Sequence, residues 1–173
     1  MKDLSTMVET RLTTNSASQQ NPKIYGNRVV WMDDRYGNWD IFMKDLSTMV
    51  ETRLTTNSAY QGNPVIYGNR VVWDDVRYGN WDIFMKDLST MVETRLTTNS
   101  ASQVTPAICG DRVVWQDNRY GNIDVFMKDL NTNVETRISN NPSDQYSPSI
   151  YQDRIVWYDD RIGNSDIYLK KLD

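Results

Sequence analysis

The chain has 173 residues, 19 Lys and Arg against 23 Asp and Glu for a net charge of −4, and no histidine. That balance leaves no basic face for nucleic acid or an anionic membrane, and the missing histidine removes Ser-His-Asp and Cys-His nucleophiles and His-ligated zinc. No apolar run reaches the roughly 18 residues of a membrane span, and residues 1–5 show neither part of a secretory leader.

The first strand pattern is Glu9-Thr10-Arg11-Leu12-Thr13. It is followed by strands at 22–25, 28–32, 40–44 and 51–55, rich in β-branched and aromatic residues. Between them lie Gly26-Asn27, Tyr36-Gly37-Asn38 and Asp45-Leu46-Ser47-Thr48, turn sequences that leave no room for a helix. The whole pattern then repeats at an offset of 42 without a gap: Trp31, Trp73, Trp115 and Trp157; Pro22, Pro64, Pro106 and Pro148; Asp40, Asp82, Asp124 and Asp166.

A fixed period of about 40 to 50 residues marks a propeller or solenoid whose units cannot bury their own faces. Hairpin turns within each unit favour the propeller, with four antiparallel strands per blade. Bulky residues on both faces of 28–32 and 40–44 suit a blade sandwiched between two others. The expected fold is therefore an all-β, four-bladed array forming one domain over residues 1–173, with units near 16–57, 58–99, 100–141 and 142–173 plus 5–15.

The last unit carries three strands of its own, so residues 9–13 are expected to complete it, in the same chain or in a partner chain. Residues 169–173 repeat the phase of 1–5, which places Met1-Lys2-Asp3-Leu4 out at the rim. Two closures follow: a homodimer forming an eight-bladed ring, or a closed four-bladed monomer.

The segment Asp33-Asp34-Arg35-Tyr36-Gly37-Asn38-Trp39-Asp40-Ile41-Phe42-Met43-Lys44-Asp45-Leu46, with Arg53-Leu54-Thr55 after it, resembles the TolB-like propeller repeat, and it recurs in all four units. Where that family has Ser-Pro-Asp-Gly between the first and second strands, this chain has Tyr25-Gly26-Asn27-Arg28. In this it looks closer to the repeats of surface proteins. The resemblance implies an extracytoplasmic or cell-surface origin, and similar rings generally have six or more blades.

Asp33, Arg35, Asn38 and Asp40 recur as a polar turn. Arg–Asp pairing and amide capping account for it better than calcium does, because the Asp-x-Asp-x-Asp-Gly spacing of a calcium loop is absent. The strand-linking loops and these turns are expected to open on one face, forming a rim around the channel from Gln19, Arg35, Tyr36, Gln61, Arg77, Tyr78, Gln103, Arg119, Tyr120, Gln145 and Arg161. Trp31, Trp73, Trp115 and Trp157 read as blade core, and Trp39 and Trp81, replaced by Ile123 and Ser165, as a tolerant surface position. Cys109 stands where other units have Tyr25, Tyr67 and Tyr151.

A specific ligand site would use the positions that change from unit to unit. These are Lys23, Val65, Ala107 and Ser149; Met32, Asp74, Gln116 and Tyr158; and Asp34, Val76, Asn118 and Asp160. Near-perfect repetition without a nucleophile motif points to a non-catalytic scaffold with a protein or peptide partner and no cofactor or metal. A lectin-like or calcium-binding propeller is the alternative.

Overall fold

The computed structural model describes residues 7–172, and all of its regular structure is β. Blade 1 comprises β1 (Gln19–Tyr25), β2 (Arg28–Asp33), β3 (Asp40–Asp45) and β4 (Glu51–Arg53). Blade 2 comprises β5 (Gln61–Tyr67), β6 (Arg70–Asp75), β7 (Asp82–Asp87) and β8 (Glu93–Arg95). Blade 3 comprises β9 (Gln103–Cys109), β10 (Arg112–Asp117), β11 (Asp124–Asp129) and β12 (Glu135–Arg137), and blade 4 β13 (Gln145–Tyr151), β14 (Arg154–Asp159) and β15 (Asp166–Lys171). Each blade is an antiparallel meander in chain order, the all-β propeller architecture expected from the repeat.

The first strand of each blade starts three residues earlier than its sequence pattern suggests. In β1 the register slips between Gln20 and Lys23, and Asn21 takes φ of 51° before Pro22. Proline has no N–H to give to a ladder, so a bulge is where a strand tolerates it. The same slip and left-handed residue occur at Asn63, Thr105 and Ser147. Gly26 at φ of 54° makes the tight β1–β2 turn without a Cβ penalty.

The core lies between blades. Val30, Met32, Ile41 and Leu54 on the back of blade 1 meet Ile66, Val71, Trp73 and Phe84 on the front of blade 2. Val72, Ile83 and Leu96 meet Val113, Trp115 and Phe126 in the same way, as do Val114, Val125 and Ile138 with Ile150, Ile155 and Trp157. Each such aliphatic or aromatic side chain contributes about 1.5–3 kcal/mol on full burial, so a lone blade would leave most of its stabilisation unrealised.

The N-terminal strand is not where closure within one chain requires it. Among the described residues the sheet of blade 4 has three strands. Residues 9–13 lie instead against the front of blade 1, where Leu12 packs on Val29, Trp31 and Phe42 and its carbonyl accepts a 2.6 Å hydrogen bond from Lys44 Nζ. The carbonyls of Leu54, Leu96 and Ile138 receive Lys86, Lys128 and Lys170 in the same manner. The segment thus occupies the place of a preceding blade's outer strand. Among the described residues β13 does not pack on β1 as β5 does. The expectation for Met1-Lys2-Asp3-Leu4 falls outside the described residues.

Candidate functional site

The expected rim residues separate into two groups, and neither faces the channel as a free polar set. Gln61, Gln103 and Gln145 are fully buried, and their side chains fold back to donate to the carbonyls of Ala59, Ala101 and Ser143. Gln19 does the same with Ala17. Among the described residues each of the buried three keeps an Oε1 with no hydrogen-bond partner. They act as braces at the start of the inner strand.

The arginines belong to a web on the outer half of each blade. Arg35 pairs with Asp33 at 2.5 Å and Glu51 at 2.6 Å and lies 4.2 Å over the Phe42 ring. Burial alone would raise the Asp33 carboxyl, but hydrogen bonds from Arg35 and Trp31 outweigh it and hold the carboxyl below the usual range. Arg77 and Arg119 repeat the arrangement with Asp75 and Glu93, and with Asp117 and Glu135. Among the described residues Arg161 pairs with Asp159 alone.

Tyr36 leans away from the channel. Its ring stacks on Phe42 at 6.3 Å and carries Arg53 from the outermost strand 4.1 Å above it. Tyr78 and Tyr120 do likewise. Arg53 in turn pairs with buried Asp40 at 2.7 Å, although burial dominates and keeps the Asp40 carboxyl above its usual value. With Asp33 and Asp40 both engaged by arginines, the turn offers no support to the calcium-binding alternative.

The wall of the channel is the part that differs between blades. Along the inner strands β1, β5, β9 and β13 runs an open cavity of about 630 Å³, lined by Asn21, Asn63, Thr105 and Ser147 at the bulges, by Pro22, Pro106 and Pro148, and by Lys23, Val65, Ala107 and Ser149 beyond them. Two of the three sets of changing positions therefore meet here, the first lining the cavity and the second standing behind it.

Asn21 Nδ2 donates to Asn63 Oδ1 at 3.2 Å, and Asn63 Nδ2 to Asp74 Oδ2 at 2.9 Å. The same carboxylate oxygen accepts the Thr105 N–H from the next blade at 3.1 Å. In the following junction Gln116 Oε1 accepts the Ser147 N–H at 2.8 Å. Asp74 is thus the buried acceptor that fixes two channel residues. Among the described residues its Oδ1 has no hydrogen-bond partner, and burial raises its carboxyl above the ordinary value.

The identity of these wall positions was legible as the places where the repeat changes. Their convergence was not, because the bulge decides which side chains turn inward.

No family model matches the chain, and no curated protein matches it. Solved structures do. TolB from Acinetobacter baumannii superposes with a TM-score of 0.75 at 16% identity, over 93% of this chain and 43% of that one. A Mycobacterium tuberculosis puromycin-hydrolyzing peptidase gives 0.74 at 11% identity, over 94% of this chain and 28% of the other. Oligogalacturonate lyase from Vibrio parahaemolyticus gives 0.68 at 14%, over 96% and 57%. The chain spans less than two thirds of each of these proteins, and the fold they share with it is the TolB-like β-propeller.

These structures correct one expectation. Repetition and the absence of histidine led to a non-catalytic chain, yet the same blade array occurs in a peptidase and a lyase. The absence of histidine excludes His-dependent chemistry only. Symmetry excludes no activity either, because an enzyme can carry such blades beside much additional chain, as the 28% coverage of the peptidase illustrates.

Proposed function

We propose that the propeller is an interaction module that holds an extended protein segment along the channel wall, in an extracytoplasmic setting. One observation carries the reading: the side chains that break the repeat converge on the channel, while the outer half of each blade is repeated almost unchanged. Amide and hydroxyl side chains at Asn21, Asn63, Thr105 and Ser147 match the donors and acceptors of a peptide backbone. Val65 and Ala107 supply apolar contact, and Lys23 favours an acidic residue near one end. The resemblance to surface-protein repeats supports the setting.

Panning a random peptide display library on the purified chain tests this. Enriched peptides should bind about tenfold or more weakly to Val65→Glu and equally well to Tyr36→Ala, which changes the outer half only. Binders lost with Tyr36→Ala and indifferent to Val65→Glu, or no enrichment at all, would overturn it.

A further inference from the structure

The two ends of the array are unlike each other and complementary. We infer that they close on a second copy of the chain, so that two copies form one eight-bladed ring, each blade 4 taking its outer strand from the other copy.

The apolar faces make the first argument. At every internal junction the back of one blade is sealed by the front of the next. Ile41 is 0% exposed and Ile66 7%, whereas Ile167, the counterpart of Ile41, is 76% exposed, and Ile24, the counterpart of Ile66, is 60% exposed. The back of blade 4 and the front of blade 1 are thus the two halves of an interface the chain already makes three times.

The polar groups make the second, with donors on one end and matching acceptors on the other. Asn38 Nδ2 donates across its junction to the carbonyls of Asn57 and Ala59 at 3.0 and 3.1 Å, and Asn80 and Asn122 repeat this. Asn164 instead turns back to Asp166. Its equivalent acceptors are the carbonyls of Asn15 and Ala17 on the opposite end. Arg28 likewise reaches Gly68 O and Asn69 of the next blade, while Arg154 stands mostly exposed, 3.9 Å from Asp153, with Gly26 and Asn27 as its counterparts.

The strand order makes the third. Residues 9–13 already lie on blade 1 as an outer strand lies on the blade after it, and among the described residues β15 has no outer strand. Transferring the β3–β4 register, in which Phe42 faces Arg53 and Lys44 faces Glu51, sets Tyr168 opposite Arg11 and Lys170 opposite Glu9 of the other copy. Arg161 then gains the glutamate that Arg35, Arg77 and Arg119 possess.

Head-to-tail faces must either close into a ring or polymerise. One copy leaves its ends apart, and three copies would make twelve blades, beyond the roughly four to eight of known propellers. Two copies remain. The channel is then complete only in the dimer, because one chain supplies one wall. This inference does not depend on what the channel binds.

Light scattering on the 173-residue chain across a range of concentrations is the test. The expected mass is twice 20.2 kDa, constant with concentration. Ile167→Asp and Asn164→Ala should each raise the dimer dissociation constant about tenfold or more, and Val134→Asp, exposed away from both ends, should leave the mass unchanged. If Ile167→Asp loses its β circular dichroism, the exposed Asn164 carries the test. A 20.2 kDa wild type, a mass that climbs past the dimer, or a dimer indifferent to both substitutions would sink the inference. A monomer that still captures peptides through Val65 would sink it alone and leave the proposed function standing.

Discussion

The outer half of each blade and the wall of the channel follow opposite rules. Outside, the same contacts recur at the same distances: Arg53–Asp40, Arg95–Asp82 and Arg137–Asp124 are each 2.7 Å, and Trp–Phe stacking repeats at 6.1–6.2 Å in three blades. At the wall no junction repeats its neighbour, and the acceptor behind the bulge is Met32, Asp74 or Gln116 in turn. Identity of contact marks what holds the blades at a fixed angle. Variation marks the surface free to acquire a ligand.

The comparison breaks most visibly at Trp73, which is fully buried between blades 1 and 2. Trp73→Ala should cost about 3–5 kcal/mol, read as a fall in the urea midpoint. Val65→Ser at the wall should stay within about 1 kcal/mol. If the two cost the same, the wall is core and the division fails.

Arg77→Ala comes next. It strands the fully buried Asp75 carboxylate, for which about 3 kcal/mol is expected. Arg161→Ala should cost less, because Arg161 is more exposed and, among the described residues, holds no glutamate. The pH dependence carries the same signature. The hydrogen bond from Arg161 holds the Asp159 carboxyl below its ordinary value of 3.8. The folded pKa is therefore depressed, and the stability it contributes is present above about 3.8 and lost as pH falls through the folded value. Arg161→Ala should flatten that acid limb of the stability curve.

How much of this was legible follows the same division. Trp31, Trp73, Trp115 and Trp157 declare themselves as core because an apolar strand bounded by turns has nowhere else to put them. Arg–Asp pairing was legible from adjacency in the turn. Gln61 was not: beside Ser58, Ala59 and Tyr60 it reads as a solvated loop residue, and only the stacking of blade 2 on blade 1, with Gln61 N bonded to Trp39 O at 2.9 Å, buries it. Tyr36 was read as facing the channel, because sequence does not say which way a turn side chain leans. The clustering of Lys23, Val65, Ala107 and Ser149 depends on the bulge before each, a displacement of register invisible in period-2 patterning.

Asp74 sharpens the comparison at the wall. It is a buried carboxylate with a raised folded pKa, so its contribution runs opposite to that of Asp159: present below the ordinary value of 3.8 and lost as pH rises through the folded value. Asp74→Asn retains an acceptor for Asn63 and the Thr105 N–H while removing the charge. It should stabilise the protein by about 1–2 kcal/mol at neutral pH and hardly at all at pH about 3, measured by urea melts at both. A loss at neutral pH would mean that the charge itself is needed to hold Asn63 and Thr105.

The smallest effect lies in the outer turns, where repetition is strict but one blade differs. Met49 and Met91 sit at φ of 59° and 57°, and blade 3 places Asn133 at the same 59°. A left-handed residue with a Cβ costs energy that asparagine bears better than methionine, and the methionine side chains are largely exposed, so little packing offsets the strain. Met49→Asn should therefore stabilise by about 0.5–1 kcal/mol. Met91→Asn should add to it independently, because the two turns lie on different blades, and Asn133→Met should reverse the sign. Additive gains would show that the outer turn tolerates improvement wherever the repeat has copied a suboptimal residue. A loss in any of the three would place the methionine among the residues retained for contact.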